Sequence, residues 1–265
     1  MEYTDYLPFA LDLARDAGGI MRQNFMLGMK KEWKSDATPL TETDTKIHTL
    51  VCDSIAREFP SHSVLSEEGD EEAKNPTTEY VWVCDPVDGT HNFAHGIPTA
   101  TFALALVQNG KPIVAVIYDP FMDRLFYAEK GKGAFMNNKQ IHVSDNQTVK
   151  KTVIGIGKWS NETTNLFPVG EQLRERGVRL VTGLSIDYMG ALVAAGEFSA
   201  TIFGGTSPFD TVAIQLLVEE AGGKATDLTG STVERYDREV PGQLATNGLV
   251  HDEILQLIKE YGARS

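Results

Sequence analysis

Cysteine is scarce in this chain: of 265 residues only Cys52 and Cys84 carry a thiol. That number excludes a disulfide-stapled fold. With one thiol in an expected helix and the other in an expected strand, the pair reads as two buried free thiols, consistent with a reducing cytosol. Long apolar runs are lacking as well, and none approaches the ~20 residues that cross a bilayer. Met1-Glu2-Tyr3-Thr4-Asp5 shows no basic region followed by an apolar core, so no signal peptide is expected there and the cytoplasm is the expected location. Positive charge is in deficit, with 24 Lys and Arg against 37 Asp and Glu and a net charge of -13. Nucleic acid and anionic membrane are therefore poor partners. An anionic substrate would need metal ions to approach an acidic site. No His-Glu-x-x-His zinc motif is read among the six histidines, although His91 and His95 stand four residues apart. Internal repeats and low-complexity tracts are absent too. The length suits one large domain or two closely packed lobes.

What is present centres on the stretch from Tyr80 to Pro98. The strand-forming run Val81-Trp82-Val83-Cys84 meets Asp85-Pro86-Val87-Asp88-Gly89-Thr90. Because Pro86 cannot donate to a ladder, the strand is expected to stop at Asp85 and deliver its carboxylate at the end of a sheet. Gly89 lets the backbone turn back, so that Asp85 and Asp88 converge. Two anions held that close repel unless a cation neutralises them. A hard divalent ion is the natural candidate, taking both carboxylates and the Val87 carbonyl. Thr90 adds a hydroxyl and, with Gly89, backbone N–H groups suited to a phosphate. Asp-Pro and Asp-Gly are also ordinary turn dipeptides. An aspartyl-phosphate enzyme is a third reading, but there a single residue separates the two Asp, and here two intervene.

Around this stretch the chain alternates helix and strand. Apolar positions at Leu7, Ala10, Leu11, Ala14, Ala17 and Met21 give a packing helix from Thr4 to about Met26. A second runs from Thr43-Asp44 through Phe59, with Asp44 in its first turn, where it complements the helix dipole. Ser63 to Ser66 reads as a short strand ending in Glu67-Glu68-Gly69, and the acids continuing to Glu72 read as a solvated loop. Strands at Thr101 to Val107, Pro112 to Tyr118 and Arg124 to Ala128, with turns at Asn109-Gly110 and Asp119-Pro120, make a meander. The polar segment Ser144 to Lys151 places a lobe boundary near residue 148. Beyond it come a strand at Val153 to Ile156, a helix from Glu162 to Arg176 and a strand at Val178 to Val181. A helix from Ile186 to Ala195 follows, with Ser185 as N-cap. Ser199 to Phe203 is a strand. Ser207-Pro208-Phe209-Asp210 opens a helix ending at Gly222-Gly223, and its residue types suit a capping arrangement that would make Asp210 a cap. The remainder is Leu244-Ala245-Thr246-Asn247-Gly248 and the stretch from His251 to Tyr261.

The stretch Asp85-Pro86-Val87-Asp88-Gly89-Thr90 resembles the first signature of the inositol monophosphatase family, lithium-sensitive Mg²⁺-dependent phosphatases. Leu244-Ala245-Thr246-Asn247-Gly248 and the stretch from His251 to Tyr261 resemble the family's closing strand and packing helix. Thr41-Glu42-Thr43-Asp44, Glu67-Glu68, Gly131-Lys132-Gly133-Ala134, Phe209-Asp210 and Glu220-Ala221-Gly222-Gly223 resemble further family elements, so that the likeness spans nearly the whole chain. It implies an α/β fold layered αβαβα, like inositol monophosphatase and fructose-1,6-bisphosphatase. An N-terminal lobe, residues 1–148, would carry most metal ligands, and a C-terminal lobe, 149–265, would complete the site. By the resemblance Glu67, Asp85, Val87, Asp88 and Asp210 hold two or three Mg²⁺. Asp44 and Thr90 position the attacking water, with Glu67 as the third catalytic group. Asp88, Gly89, Thr90, Asp210 and the helix beginning at Ser185 meet the substrate, a small phosphorylated metabolite.

The resemblance further places Lys34 in a metal-binding loop and suggests a homodimer. Glu68 and His91 have no assigned role, and His91 reads as an edge histidine beside the motif. The family position of a Glu that accepts hydrogen bonds from sugar hydroxyls is Phe203 here. Phe203 is thus either a pocket residue disfavouring inositol 1-phosphate or a core residue at a strand's end. The activity implied is hydrolysis of a phosphate monoester without a phosphoenzyme. Inositol phosphates, fructose bisphosphate, histidinol phosphate and 3′-phosphonucleotides are the substrates within the family. A non-catalytic module binding a phosphometabolite or a metal is the reading from another class.

Overall fold

The computed structural model describes residues 6–29, 32–33, 39–69, 76–157 and 164–264. Lys34 and the acids Asp70, Glu71 and Glu72 lie outside them. In chain order the first half comprises α1 (Tyr6–Asn24), the short pair β1 (Glu32–Trp33) and β2 (Pro39–Leu40), α2 (Glu42–Glu58), β3 (Ser63–Ser66), β4 (Tyr80–Asp88) and α3 (Thr90–Ala94). The strands β5 (Thr101–Gln108), β6 (Lys111–Asp119), β7 (Arg124–Glu129), β8 (Ala134–Met136) and β9 (Lys139–Ile141) complete it. The second half comprises β10 (Val153–Gly157), β11 (Thr164–Asn165), α4 (Phe167–Glu175), β12 (Arg179–Val181), α5 (Ile186–Ala194), β13 (Ala200–Phe203) and α6 (Val212–Glu220). It ends with β14 (Lys224–Thr226), β15 (Gln243–Thr246), α7 (His251–Tyr261) and β16 (Ala263–Arg264).

Strands β3 to β9 form one seven-stranded sheet in chain order, parallel only between β3 and β4. The second sheet has the order β12-β10-β13-β15-β14, parallel in its first three strands and antiparallel in the rest. The period-2 alternation of β4 sorts its side chains between two layers. Trp82 and Cys84 pack against α1 and α2 through Ala10, Ala14, Ile47 and Ile55. Val81 and Val83 pack the other way, against α5 and α6 through Met189, Val193, Ile214 and Leu217. The far side of those helices meets Ala225, Phe203 and Ala245 of the second sheet. That sheet's outer face, with Ile154, Ile202 and Leu244, is covered by α4 and α7. The layers therefore run helix, sheet, helix, sheet, helix, the αβαβα order expected.

Local differences from the sequence reading have physical causes. Strand β4 does not stop at Asp85 but continues to Asp88, because a β-bulge absorbs Pro86: Asp85 pairs with Ala103 and Asp88 with Thr101. Two residues oppose one between those pairs, so the ladder requires no N–H from proline. Helix α4 begins at Phe167 among the described residues, with Pro168 in its first turn, where a missing N–H costs nothing; the expected start at Glu162 lies outside them. Both cysteines are free, but only Cys84 is buried. Cys52 is half-exposed because it follows Val51, which holds the buried face of α2.

Candidate active site

The bulge between Asp85 and Asp88 turns both acids toward one region. The Asp85 carboxylate accepts from the Val87 N–H at 2.9 Å, bridging Pro86. Gly89 then takes φ 85°, a left-handed conformation that glycine adopts without strain, and starts α3. The Thr90 hydroxyl lies 2.7 Å from the Val87 carbonyl and 3.1 Å from Asp44 Oδ1. Asp44 reaches it from a capping box: its Oδ2 accepts from the Thr41 N–H at 2.9 Å, and the Thr43 N–H donates to Thr41 Oγ1 at 3.2 Å. The helix-end role and the role beside Thr90 thus use different oxygens of one carboxylate. Burial pushes the Asp44 carboxyl up to about 6, against the hydrogen bonds from Thr41.

Glu67 follows the last residue of β3. Its N–H donates to the Cys84 carbonyl at 3.1 Å, extending the parallel pairing of Ser66 with Cys84 and setting Glu67 beside Asp85. The adjacency expected from the sequence is present. His91 is exposed and stacks on His95 with 4.5 Å between ring centroids, as an edge histidine would.

Asp88 is held by the start of α5. Its Oδ2 accepts from the Ser185 hydroxyl and, at 2.7 Å, from the Asp187 N–H. Ser185 Oγ also accepts from the Tyr188 N–H at 2.9 Å and lies 2.8 Å from Thr101 Oγ1. By the resemblance this helix N-terminus and Ser185 line the substrate pocket. In the structure they are occupied by Asp88, because the bulge brings that carboxylate onto the positive end of the helix. Burial raises the Asp88 carboxyl to about 6, opposed by the Ser185 and backbone hydrogen bonds. Asp88 Oδ1 has no hydrogen-bond partner.

Asp210 stands ahead of α6, not within its first turn. The helix begins at Val212, and its N-cap, Thr211, makes no side-chain cap bond. The capping arrangement read from Ser207-Pro208-Phe209-Asp210 is therefore not formed: the Pro208 carbonyl closes a turn onto the N–H groups of Thr211 and Val212, shifting the helix start past Asp210. Phe203 is also corrected as a pocket residue. Its ring is 1 % exposed within the core layer of α5 and α6, and a Cβ on Gly205 would come within 2.4 Å of it.

The sequence reading missed Asp187. Oxygens of Asp85, Asp187 and Asp210 lie within 4.8 Å of one another, the one such cluster of acids among the described residues. All three side chains are buried. Burial first, and then the neighbouring acids, hold the carboxyls of Asp85 and Asp187 well above the usual carboxylate range. An acid two positions after a Ser N-cap looks like a dipole complement; only the burial of that turn distinguishes it. These acids, with the unpartnered Asp88 and Asp187 oxygens, suit a hard divalent cation and little else.

The model of the inositol monophosphatase family matches residues 2–263, and the chain belongs to that family. It is a phosphoric monoester hydrolase, and the family is Mg²⁺-dependent. The fructose-1,6-bisphosphatase/inositol-1-monophosphatase of Thermotoga maritima is 30% identical over 257 residues, covering 97% of this chain and 96% of that protein. Inositol monophosphatase 2 of Solanum lycopersicum is 33% identical over 266 residues, covering 97% and 98%. The solved structure of a Thermotoga maritima inositol monophosphatase superposes with TM-score 0.87 at 30% identity, covering 97% of this chain and 98% of that one.

Proposed function

We propose that the chain hydrolyses a small sugar, polyol or related metabolite phosphate by direct attack of water, using two to three Mg²⁺ held by Glu67, Asp85, the Val87 carbonyl, Asp88 and Asp210. The observation that carries this reading is the convergence of buried carboxylate oxygens of Asp85 and Asp210 within 4.8 Å, one from strand β4 and the other from the turn ahead of α6. Bound Mg²⁺ would neutralise these acids, attract the phosphate and make water a better nucleophile at neutral pH.

The protein's own part is positioning. The Thr90 hydroxyl, shared between Val87 and Asp44, offers a lone pair and a proton at a fixed point, and Asp44 is the acceptor toward which a water proton would move. Glu67 stands beside Asp85 as the further acid of that group. Gly89 and Thr90, at the turn into α3, would meet the phosphate. Ser185 acts through Asp88, fixing its Oδ2 so that Oδ1 remains for a cation. Residues 1–148 and 149–265 form the two lobes that supply these groups.

The names of the relatives support inositol 1-phosphate and fructose 1,6-bisphosphate as the first esters to try, with histidinol phosphate and a 3′-phosphonucleotide beside them. With Phe203 in the core, the reason to place inositol 1-phosphate low is gone. A panel of these esters, compared by kcat/KM in Mg²⁺, tests the substrate class: equal, negligible turnover of all four would contradict it. We also read the protein as a cytoplasmic homodimer that binds neither membrane nor nucleic acid. The charge of -13 supports the last point. No helix among the described residues is long and apolar enough to cross a membrane. Light scattering after gel filtration checks the dimer.

A further inference from the structure

We propose that Asp187 is a direct ligand of a divalent cation, sharing a site with Asp85 and Asp210 that is complete in carboxylates before any phosphate arrives. The proposal rests on the reading of this centre as a metal site. It adds a residue from the first turn of α5 to the acids supplied by β4 and by the turn ahead of α6.

The ordinary role for an acid at this position is to accept the free N–H groups of the helix start. Asp187 does not do so. Its side chain is 0 % exposed, and neither Oδ1 nor Oδ2 has a hydrogen-bond partner. The N–H groups at the helix start are taken by others: its own by Asp88 Oδ2 at 2.7 Å and that of Tyr188 by Ser185 Oγ at 2.9 Å. The carboxylate is thus turned away from its own helix and toward Asp85 and Asp210.

Neither protonation state satisfies it there. Ionised, Asp187 is a buried charge among other acids. Protonated, it leaves a buried hydroxyl donor without an acceptor and a carbonyl without a donor. A cation resolves both conditions at once. The separation is within reach of one ion after a small inward shift: two oxygens on one hard divalent ion can lie at most twice the metal–oxygen bond apart, about 4.2 Å for Mg²⁺ and about 4.6–5.2 Å for Ca²⁺. The oxygens of Asp85, Asp187 and Asp210 fall within 4.8 Å of one another.

The test is Mn²⁺ binding to the metal-stripped full chain, without phosphate, followed by calorimetry and by the electron paramagnetic resonance of free Mn²⁺. The proteins compared are wild type, Asp187→Asn, Asp187→Ala and Asp85→Asn. The expected result is loss of the tightest site, or weakening by about tenfold or more, in both Asp187 variants as well as in Asp85→Asn. The metal-free Asp187 variants should also melt higher than wild type, since a repelling buried acid is gone, and should gain less from saturating Mn²⁺. Wild-type isotherms in both Asp187 variants, with binding lost in Asp85→Asn, would overturn this inference and leave the metal centre intact. Wild-type isotherms in all three would overturn the metal reading as a whole. Should the variants misfold, the anomalous signal of Mn²⁺ in wild-type crystals decides: an ion within about 2.6 Å of an Asp187 oxygen is expected, and an ion that touches Asp85 and Asp210 alone is the contrary result.

Discussion

The Thr90 hydroxyl lies between the Val87 carbonyl, at 2.7 Å, and Asp44 Oδ1, at 3.1 Å. It has one proton, so it can donate to only one of them at a time. When it donates to Asp44 its lone pairs are free for a water; when it donates to Val87, Asp44 Oδ1 is free to accept from that water. Thr90→Val keeps the shape and removes this exchange. The expected outcome is a fall in kcat of about 10²-fold or more with KM nearly unchanged. Stability should drop by about 1 kcal/mol. Steady-state phosphate release and urea denaturation measure the two.

Asp210→Asn separates a metal-binding role from a helix-cap role. Because α6 starts at Val212 with Thr211 as its N-cap, the substitution removes no cap bond. The melting midpoint should hold or rise slightly as acid repulsion falls, while the Mg²⁺ concentration for half-maximal activity rises by about tenfold or more. An unchanged Mg²⁺ dependence would remove Asp210 from the metal site.

Phe203→Ala tests the placement of that ring in the core. Filling the layer between α5, α6 and the second sheet, Phe203 should cost about 3–5 kcal/mol when truncated. The ratio of kcat/KM values between two sugar phosphates should stay the same in folded Phe203→Leu. A changed ratio with little loss of stability would return the ring to the pocket.

His251 gives the fold a pH dependence of its own. Its two ring nitrogens lie 3.0 Å from Thr246 Oγ1 and 3.1 Å from Thr226 Oγ1, and burial, with Lys224 nearby, lowers its pKa from 6.5 to about 4. The unfolded chain therefore binds a proton before the folded one does. Stability from this group is present above pH 6.5 and is lost as the pH falls toward 4. Denaturation curves of wild type and His251→Gln at pH 7 and pH 4.5 isolate the effect: the loss should be smaller in the variant, and equal losses would contradict it.

Much of the site was legible because its signals are local. A β-former run that meets Asp-Pro-Val-Asp-Gly-Thr marks a strand end rich in oxygen ligands, and Ser63 to Glu67 reads as a strand whose end can lie beside it. The layers followed from period-2 and 3.6-residue alternation. The misread elements depend on contacts between distant segments. Asp210 looks like a cap until the Pro208 carbonyl fixes where α6 begins, and Ser185 looks free until the bulge at Pro86 brings Asp88 to it. Asp187 resembles any acid in a first helical turn, since its burial comes from a sheet that lies a hundred residues earlier in the chain. Phe203 matched a pocket position by alignment of residue types, whereas the flat face of Gly205 receives it in the core.

The most direct test of the acid cluster as a working metal centre is phosphate release by metal-stripped protein titrated with Mg²⁺ and, separately, with Ca²⁺. The expected result is no release in excess chelator, full restoration by Mg²⁺ and poor substitution by Ca²⁺, whose larger radius and looser geometry place water and phosphate less well. Full activity in excess chelator would contradict the assignment of Glu67, Asp85, Asp88 and Asp210 to metal-dependent hydrolysis.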